Sequence, residues 1–240
     1  MKTLLKISTV LTVGIIFVQA GQAAPRTVGS GGRKYLKNVA AATRWTCGGY
    51  WDMAERDVEA EGIPARLKTS RGMAFVGYSP VDWATLYLTM GESFSDWNKF
   101  SAGNTESVGL GLQLNLLDHE VADPGLMEDR FLLNAAVEYL WTGADPQWPD
   151  NLRWGELTAS LTFSIVNDIT GNALFTAKSI ALYAGPVVSA LVSGDLEGKD
   201  STEAGVTAGM EVFLTERVSL NAQFTKMDYP GYGAGLTVRF

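Results

Sequence analysis

A two-residue rhythm, returning in segment after segment, constrains this chain more than any other feature. In "ELTASLTFSI" (156–165), Leu157, Ala159, Leu161, Phe163 and Ile165 alternate with Glu156, Thr158, Ser160, Thr162 and Ser164. "SVGLGLQLNL" (107–116) sets Val108, Leu110, Leu112, Leu114 and Leu116 against Gly109, Gly111, Gln113 and Asn115. The same alternation runs through "LLNAAVEYLW" (132–141), "GVTAGMEVFLT" (205–215), "SLNAQFT" (219–225) and "GAGLTVRF" (233–240). Strand side chains point alternately to two faces, so this period belongs to β-structure rather than helix. Turn-forming or acidic segments separate the runs: 59–64, 79–82, 95–106, 144–151, 167–172, 194–203 and 229–233. The pattern predicts about ten strands, near 45–58, 66–78, 83–93, 106–116, 131–142, 155–166, 174–193, 204–215, 218–228 and 232–240. The first two alternate least cleanly, which leaves their facing open.

The amino-terminal residues stand apart. Lys2 and Lys6 precede the apolar run "ISTVLTVGIIFV" (7–18) and the small residues "QAGQAA". That order predicts a secretory signal peptide over 1–23, cleaved after Ala20 or Ala23. The run is shorter than the ~20 residues a spanning helix needs. Residues 24–43, with Arg26, Arg33, Lys34 and Lys37, read as a flexible periplasmic segment, and 44–240 as the barrel domain. The formal charge of −7 becomes −9 once Lys2 and Lys6 are removed. So acidic a chain argues against nucleic acid as a partner, because phosphate demands a basic surface. Cys47 is the single cysteine, which excludes an intrachain disulfide.

Ten alternating strands suit two architectures. A soluble periplasmic β-barrel would turn its leucines inward around an apolar ligand. A transmembrane barrel does the reverse, with apolar side chains against lipid and polar ones in the lumen. Three features favour the membrane. The apolar faces run unbroken over the ~9–11 residues that a tilted strand needs to cross a bilayer. Aromatic residues gather near strand ends, Trp83 and Phe240 on one side and Trp141, Trp148 and Trp154 on the other, as in interfacial girdles. The connections "SPVD" and "TERVS" are short while those on the opposite end read as longer and acidic. The expected fold is an all-β, up-and-down antiparallel transmembrane barrel of about ten strands, eight being the alternative.

The last strand makes the resemblance specific. Alternating Ala234, Leu236, Val238 and Phe240, closing on a carboxy-terminal Phe, resemble the terminal signature of small bacterial outer-membrane β-barrels; size and pattern are similar to the opacity and surface-antigen type. The resemblance implies that Leu236, Val238 and Phe240 form an assembly signal read by the barrel-assembly machinery. It also implies that the last strand pairs with the first in the outer membrane, among its lipids.

Little else points to chemistry. The single histidine, His119, falls in what reads as a periplasmic turn, so no Ser/His/Asp arrangement is expected and no enzyme. "GSGGRK" (29–34) lacks the ending and the preceding strand of a phosphate loop. "DLEGKDSTE" (195–203) lacks calcium-loop spacing and reads as a solvated acidic loop. No cofactor or metal is expected. Lumen-lining candidates are Gln113, Asn115, Asn134, Glu138, Glu156, Glu211, Asn221, Gln223 and Arg239, with Arg239 able to pair with Glu211 or Glu138. Glycines on the same face, such as Gly109, Gly111 and Gly209, would leave room for water. Function then reads as a narrow, cation-preferring pore or as a structural, surface-exposed barrel.

Overall fold

The computed structural model describes residues 44–60, 63–97, 100–121, 129–143, 153–168, 179–194, 202–215 and 217–240. These form ten strands: β1 (Trp45–Ala60), β2 (Ile63–Val81), β3 (Ala84–Trp97), β4 (Phe100–Val121), β5 (Asp129–Gly143), β6 (Arg153–Asp168), β7 (Ser179–Gly194), β8 (Thr202–Phe213), β9 (Val218–Lys226) and β10 (Pro230–Arg239). Each pairs antiparallel with its sequence neighbours, and β1 pairs with β10, so one meander closes into a barrel. Lipid offers no hydrogen bonds, so a sheet that crosses it can leave no edge. At the closing seam Trp45 N donates to Phe240 O at 3.1 Å and Phe240 N to Trp45 O at 3.0 Å. We call this end proximal and the opposite end distal.

The two faces separate as the alternation requires. Leu88, Met90, Leu110, Leu182 and Val206 point outward, each more than half exposed. Thr89, Ser107, Gln113, Ser164 and Thr225 point inward and are almost fully buried. A soluble barrel with its apolar face inside is therefore excluded: this barrel is inside-out. A bulge in β4 beyond Asn115 turns both Leu116 and Leu117 outward, so two consecutive leucines share the apolar belt.

Aromatic side chains mark both rims of the belt. Trp45, Trp83 and Phe240 are exposed at the proximal rim, with the Trp45 ring 4.7 Å from that of Tyr78. Trp51 and Trp141 are exposed towards the distal rim. Trp154 is a correction: it is buried in the lumen, because it shares the inward parity of Glu156 and Thr158 on β6. Trp148 lies outside the described residues, as do 1–23, expected as a signal peptide, residues 24–43 with their "GSGGRK", and 195–201.

The expected asymmetry of loop length is also corrected. Only 61–62 and 98–99 separate the distal hairpins β1–β2 and β3–β4, while 122–128 and 169–178 connect strands at the proximal end. The polar stretches 59–64 and 95–106 are mostly strand, since β2 has 19 residues and β4 has 22. Beyond the belt no lipid requires apolar outward residues, so these tall hairpins lose the alternation that reveals a strand. The described part of β7 starts at Ser179, and 174–178 of its expected span lie outside the described residues.

One interruption has a single cause. The β6–β7 register would place Leu161 opposite Pro186 and Thr162 opposite Gly185, but neither pair forms. Both depend on a donor at position 186, which proline lacks.

Candidate functional site

The lumen collects the polar side chains. Seven of the nine sequence candidates are buried inside it: Gln113, Asn115, Asn134, Glu138, Glu211, Gln223 and Arg239. Glu156 and Asn221 share the inward parity and are partly buried. The fold joins only some of them to each other. Arg239 Nη2 donates to Glu211 Oε1 at 2.7 Å, but Glu138 is held instead by Thr89 Oγ1 at 3.3 Å. Asn134 Nδ2 reaches Ser164 Oγ at 3.3 Å, and Tyr183 donates to Gln223 Oε1 at 3.4 Å.

The densest cluster sits at the distal mouth and includes residues that the sequence pattern did not reveal. Arg71 on β2 donates through Nε to Asp52 Oδ1 at 2.9 Å and through Nη1 to Glu156 Oε2 at 3.2 Å. Arg56 on β1 donates to Ser189 Oγ at 3.0 Å and stands 3.5 Å from Glu203 Oε1. Ser189 in turn donates to Glu156 Oε1 at 2.6 Å. In the ring of ten strands Arg71 reaches from β2 to β6 and Arg56 from β1 to β7 and β8, so these contacts cross the lumen. A void of about 20 Å³ remains between Arg56, Arg71, Trp154 and Glu156, room for little more than one water.

Arg56, Arg71 and Asp52 escaped notice for a physical reason. The inward face of β2 carries Met73 and Phe75 as well as Arg71, while its outward face holds Ala74 and Val76 beside Gly72 and Ser70. Hydropathy is similar on both faces, so alternation carries little signal. What could have found them is the cost of charge in lipid, which drives any arginine within a spanning strand inward. Glu203, read from sequence as part of a solvated loop, is another correction: it is buried on β8 against Arg56.

Below the cluster, Tyr50, Met73, Phe75, Tyr87 and Leu140 pack as an apolar group inside the barrel, along β1–β3 and β5. Here the lumen glycines do not leave space for water. A Cβ on Gly111 would run into the Tyr87 ring, one on Gly48 into the Phe75 ring, and one on Gly209 into the Tyr183 hydroxyl. Each glycine lets an aromatic ring lie flat against the wall. Gly111→Ala should push Tyr87 off its seat and cost about 1–3 kcal/mol as overpacking. An unchanged unfolding midpoint in denaturant would contradict that packing.

At the proximal end Glu211 also accepts from Ser219 Oγ at 2.5 Å, and the Arg239 guanidinium lies 4.9 Å from the Phe213 ring centroid. The neighbouring wall is apolar, with Leu132, Val166, Ala181 and Phe213 in contact. The lumen is therefore not a bare acidic lining, because arginines accompany Asp52, Glu156, Glu203 and Glu211.

The remaining candidates lie elsewhere. His119 is exposed, and it belongs to the proximal end of β4 opposite Phe131 rather than to a turn. Cys47 faces outward between Val76 and Val238. Among the described residues no group of three or more His, Cys, Asp or Glu could hold a metal ion. At the distal β9–β10 turn, Tyr229 donates to Asp57 Oδ2 at 2.9 Å beneath the Arg66 guanidinium. That hydrogen bond pushes its phenol above the ordinary tyrosine range.

Leu236 and Phe240 are exposed on the outward face of the closing seam and Val238 is half-buried there. An antiparallel barrel without edges, apolar outside and polar within, is a membrane-spanning β-barrel of the outer-membrane type. No protein-family model and no curated protein matches the sequence. Several solved structures are similar in fold at low identity. The translocator domain of the autotransporter NalP from Neisseria meningitidis aligns with TM-score 0.40 and 11% identity, over 90% of this chain and 94% of that one. The porin NanC aligns with TM-score 0.37 and 10% identity, over 82% and 100%. An outer membrane channel from Pseudomonas putida F1 gives 0.37 and 12%, over 84% and 97%. None of them bears on the narrower resemblance to opacity-type barrels. The membrane assignment rests on this barrel's own inside-out surface.

Proposed function

We propose that the protein is an outer-membrane β-barrel that stands closed at rest, a structural and surface-exposed barrel rather than a standing pore. The bridge of Arg56 and Arg71 to Glu156, Ser189 and Glu203 carries this reading. Conduction needs a continuous watered path, and this bridge runs from one wall to the opposite one. The barrel form supports the outer membrane as its location, with lipid around the belt and the distal hairpins outside the cell. On this reading the barrel-assembly machinery engages the last strand through Leu236, Val238 and Phe240. Catalysis has no part in it, since His119 stands at the proximal rim, away from the lumen cluster.

The test is a planar-bilayer recording of refolded protein whose folding is established by heat-modifiable migration on an unboiled gel. The expected record is silent at rest. A stable open step from the unmodified barrel would overturn the reading.

A further inference from the structure

We infer that the amino-terminal segment adds a strand to the barrel, with residues from 33–40 pairing along the free proximal edge of β4 and covering it. The inference goes beyond the closed reading above and holds whether or not the barrel conducts. Three observations carry it.

First, β4 outruns its neighbour. Its pairing with β3 ends at Ala84 and Leu114, and Asn115 N makes one more bond, to Trp83 O at 2.8 Å. β4 then continues to Val121, paired with β5 alone. Over 116–121, about 20 Å of strand, alternate N–H and C=O groups turn away from β5. Among the described residues no strand lies there to meet them. The other proximal ladders run to their strand ends: Asp168 of β6 pairs with Ser179 of β7, which pairs with Phe213 of β8.

Second, the free edge begins where open backbone is costly. Leu116 and Leu117, next to the rim residue Trp83, are each more than half exposed on the apolar belt. Backbone groups at the hydrocarbon boundary need partners from the protein, and a bare edge is also a template for pairing with another chain.

Third, the chain that leads into β1 arrives at the same end. Ser79 N donates to Arg44 O at 2.8 Å, which sets Arg44 beside the β2–β3 turn. A strand on the β4 edge would continue the line of β3, two strand spacings or about 10 Å from β1. Residues 41–43, when extended, reach about that far. "RKYLKNVA" (33–40) has no glycine or proline and includes Tyr35, Leu36 and Val39, a composition that suits a strand. Charge agrees with the placement. Residues 24–43 carry Arg26, Arg33, Lys34 and Lys37 and no carboxylate, while Asp118 and Glu120 lie along the edge and Asp82 in the turn beside it.

The experiment compares hydrogen exchange in refolded chains that begin at residue 24 and at residue 41. Folding of each is read by heat-modifiable migration. Amides of 116–121 should exchange faster by about tenfold or more in the shorter chain, as an edge that has lost its cover does. Those of 107–114, paired on both sides, should not change. Equal exchange over 116–121 in the two chains would overturn the inference, including protection that survives the deletion, which would assign the edge to a second copy. Disulfide trapping in the longer chain gives an independent answer. In a Cys47→Ser background, His119→Cys is combined in turn with Lys34→Cys, Tyr35→Cys, Leu36→Cys, Lys37→Cys, Asn38→Cys and Val39→Cys. Bridging within the monomer should be confined to one or two positions of the same parity, since a fixed register brings only those within disulfide reach. No bridge, or equal yield at every position, would overturn the inference; should the shorter chain fail to fold, this series decides.

Discussion

Arg239→Met should destabilise the barrel by about 3–5 kcal/mol, the cost of leaving a buried charge without its partner. Arg239 and Glu211 are 1% and 2% exposed, so water cannot replace the lost guanidinium. Glu211 would keep only the Ser219 hydroxyl among its hydrogen-bond donors named above. The informative comparison is the double variant Arg239→Met with Glu211→Leu. Removing both charges from a site beside Phe213 and Leu132 also removes the desolvation penalty, so most of the loss should be recovered. Unfolding in denaturant, followed by tryptophan fluorescence, measures both. Two additive losses would mean that the pair does not act as a unit.

This pair is also an instance of what the sequence made legible. Arg239 lies in "GAGLTVRF" with Leu236 and Val238 on the other parity, so its inward facing follows from alternation alone. Its choice of Glu211 over Glu138 does not, because that depends on ring position. β8 lies two strands from β10, whereas β5 lies five away. The same limit explains the distal bridge. Glu156 was readable as inward, but a cross-lumen partner follows only from barrel diameter, which alternation does not encode. The glycines failed differently. Gly109 and Gly111 were correctly assigned to the lumen face, yet whether a missing side chain leaves water or an aromatic ring depends on Tyr87, which sits on the neighbouring strand directly opposite Gly111. Local pattern therefore gave the wall and its two faces, and the resemblance carried by the last strand gave its closure. What fills the wall is a long-range fact.

The outward face admits a test of similar size. Leu110→Arg should cost about 2–4 kcal/mol, the penalty for an arginine near the bilayer midplane on a barrel's lipid face. Leu110 is 57% exposed and sits directly opposite Leu88 in a stretch of β4 that is apolar outward from Val108 to Leu116. An arginine there has no interior to turn into, since strand parity holds it outside. Phe94→Arg is the control. Phe94 is also about half exposed, but its outward neighbours along β3 are Glu92 and Asp96, which puts it at the distal rim. There the cost should fall to about 0–1 kcal/mol. The difference depends on depth in lipid and not on exposure, because the two native side chains are almost equally exposed. Equal costs at both positions would mean that water, not hydrocarbon, surrounds Leu110, and the membrane-spanning assignment would have to be abandoned.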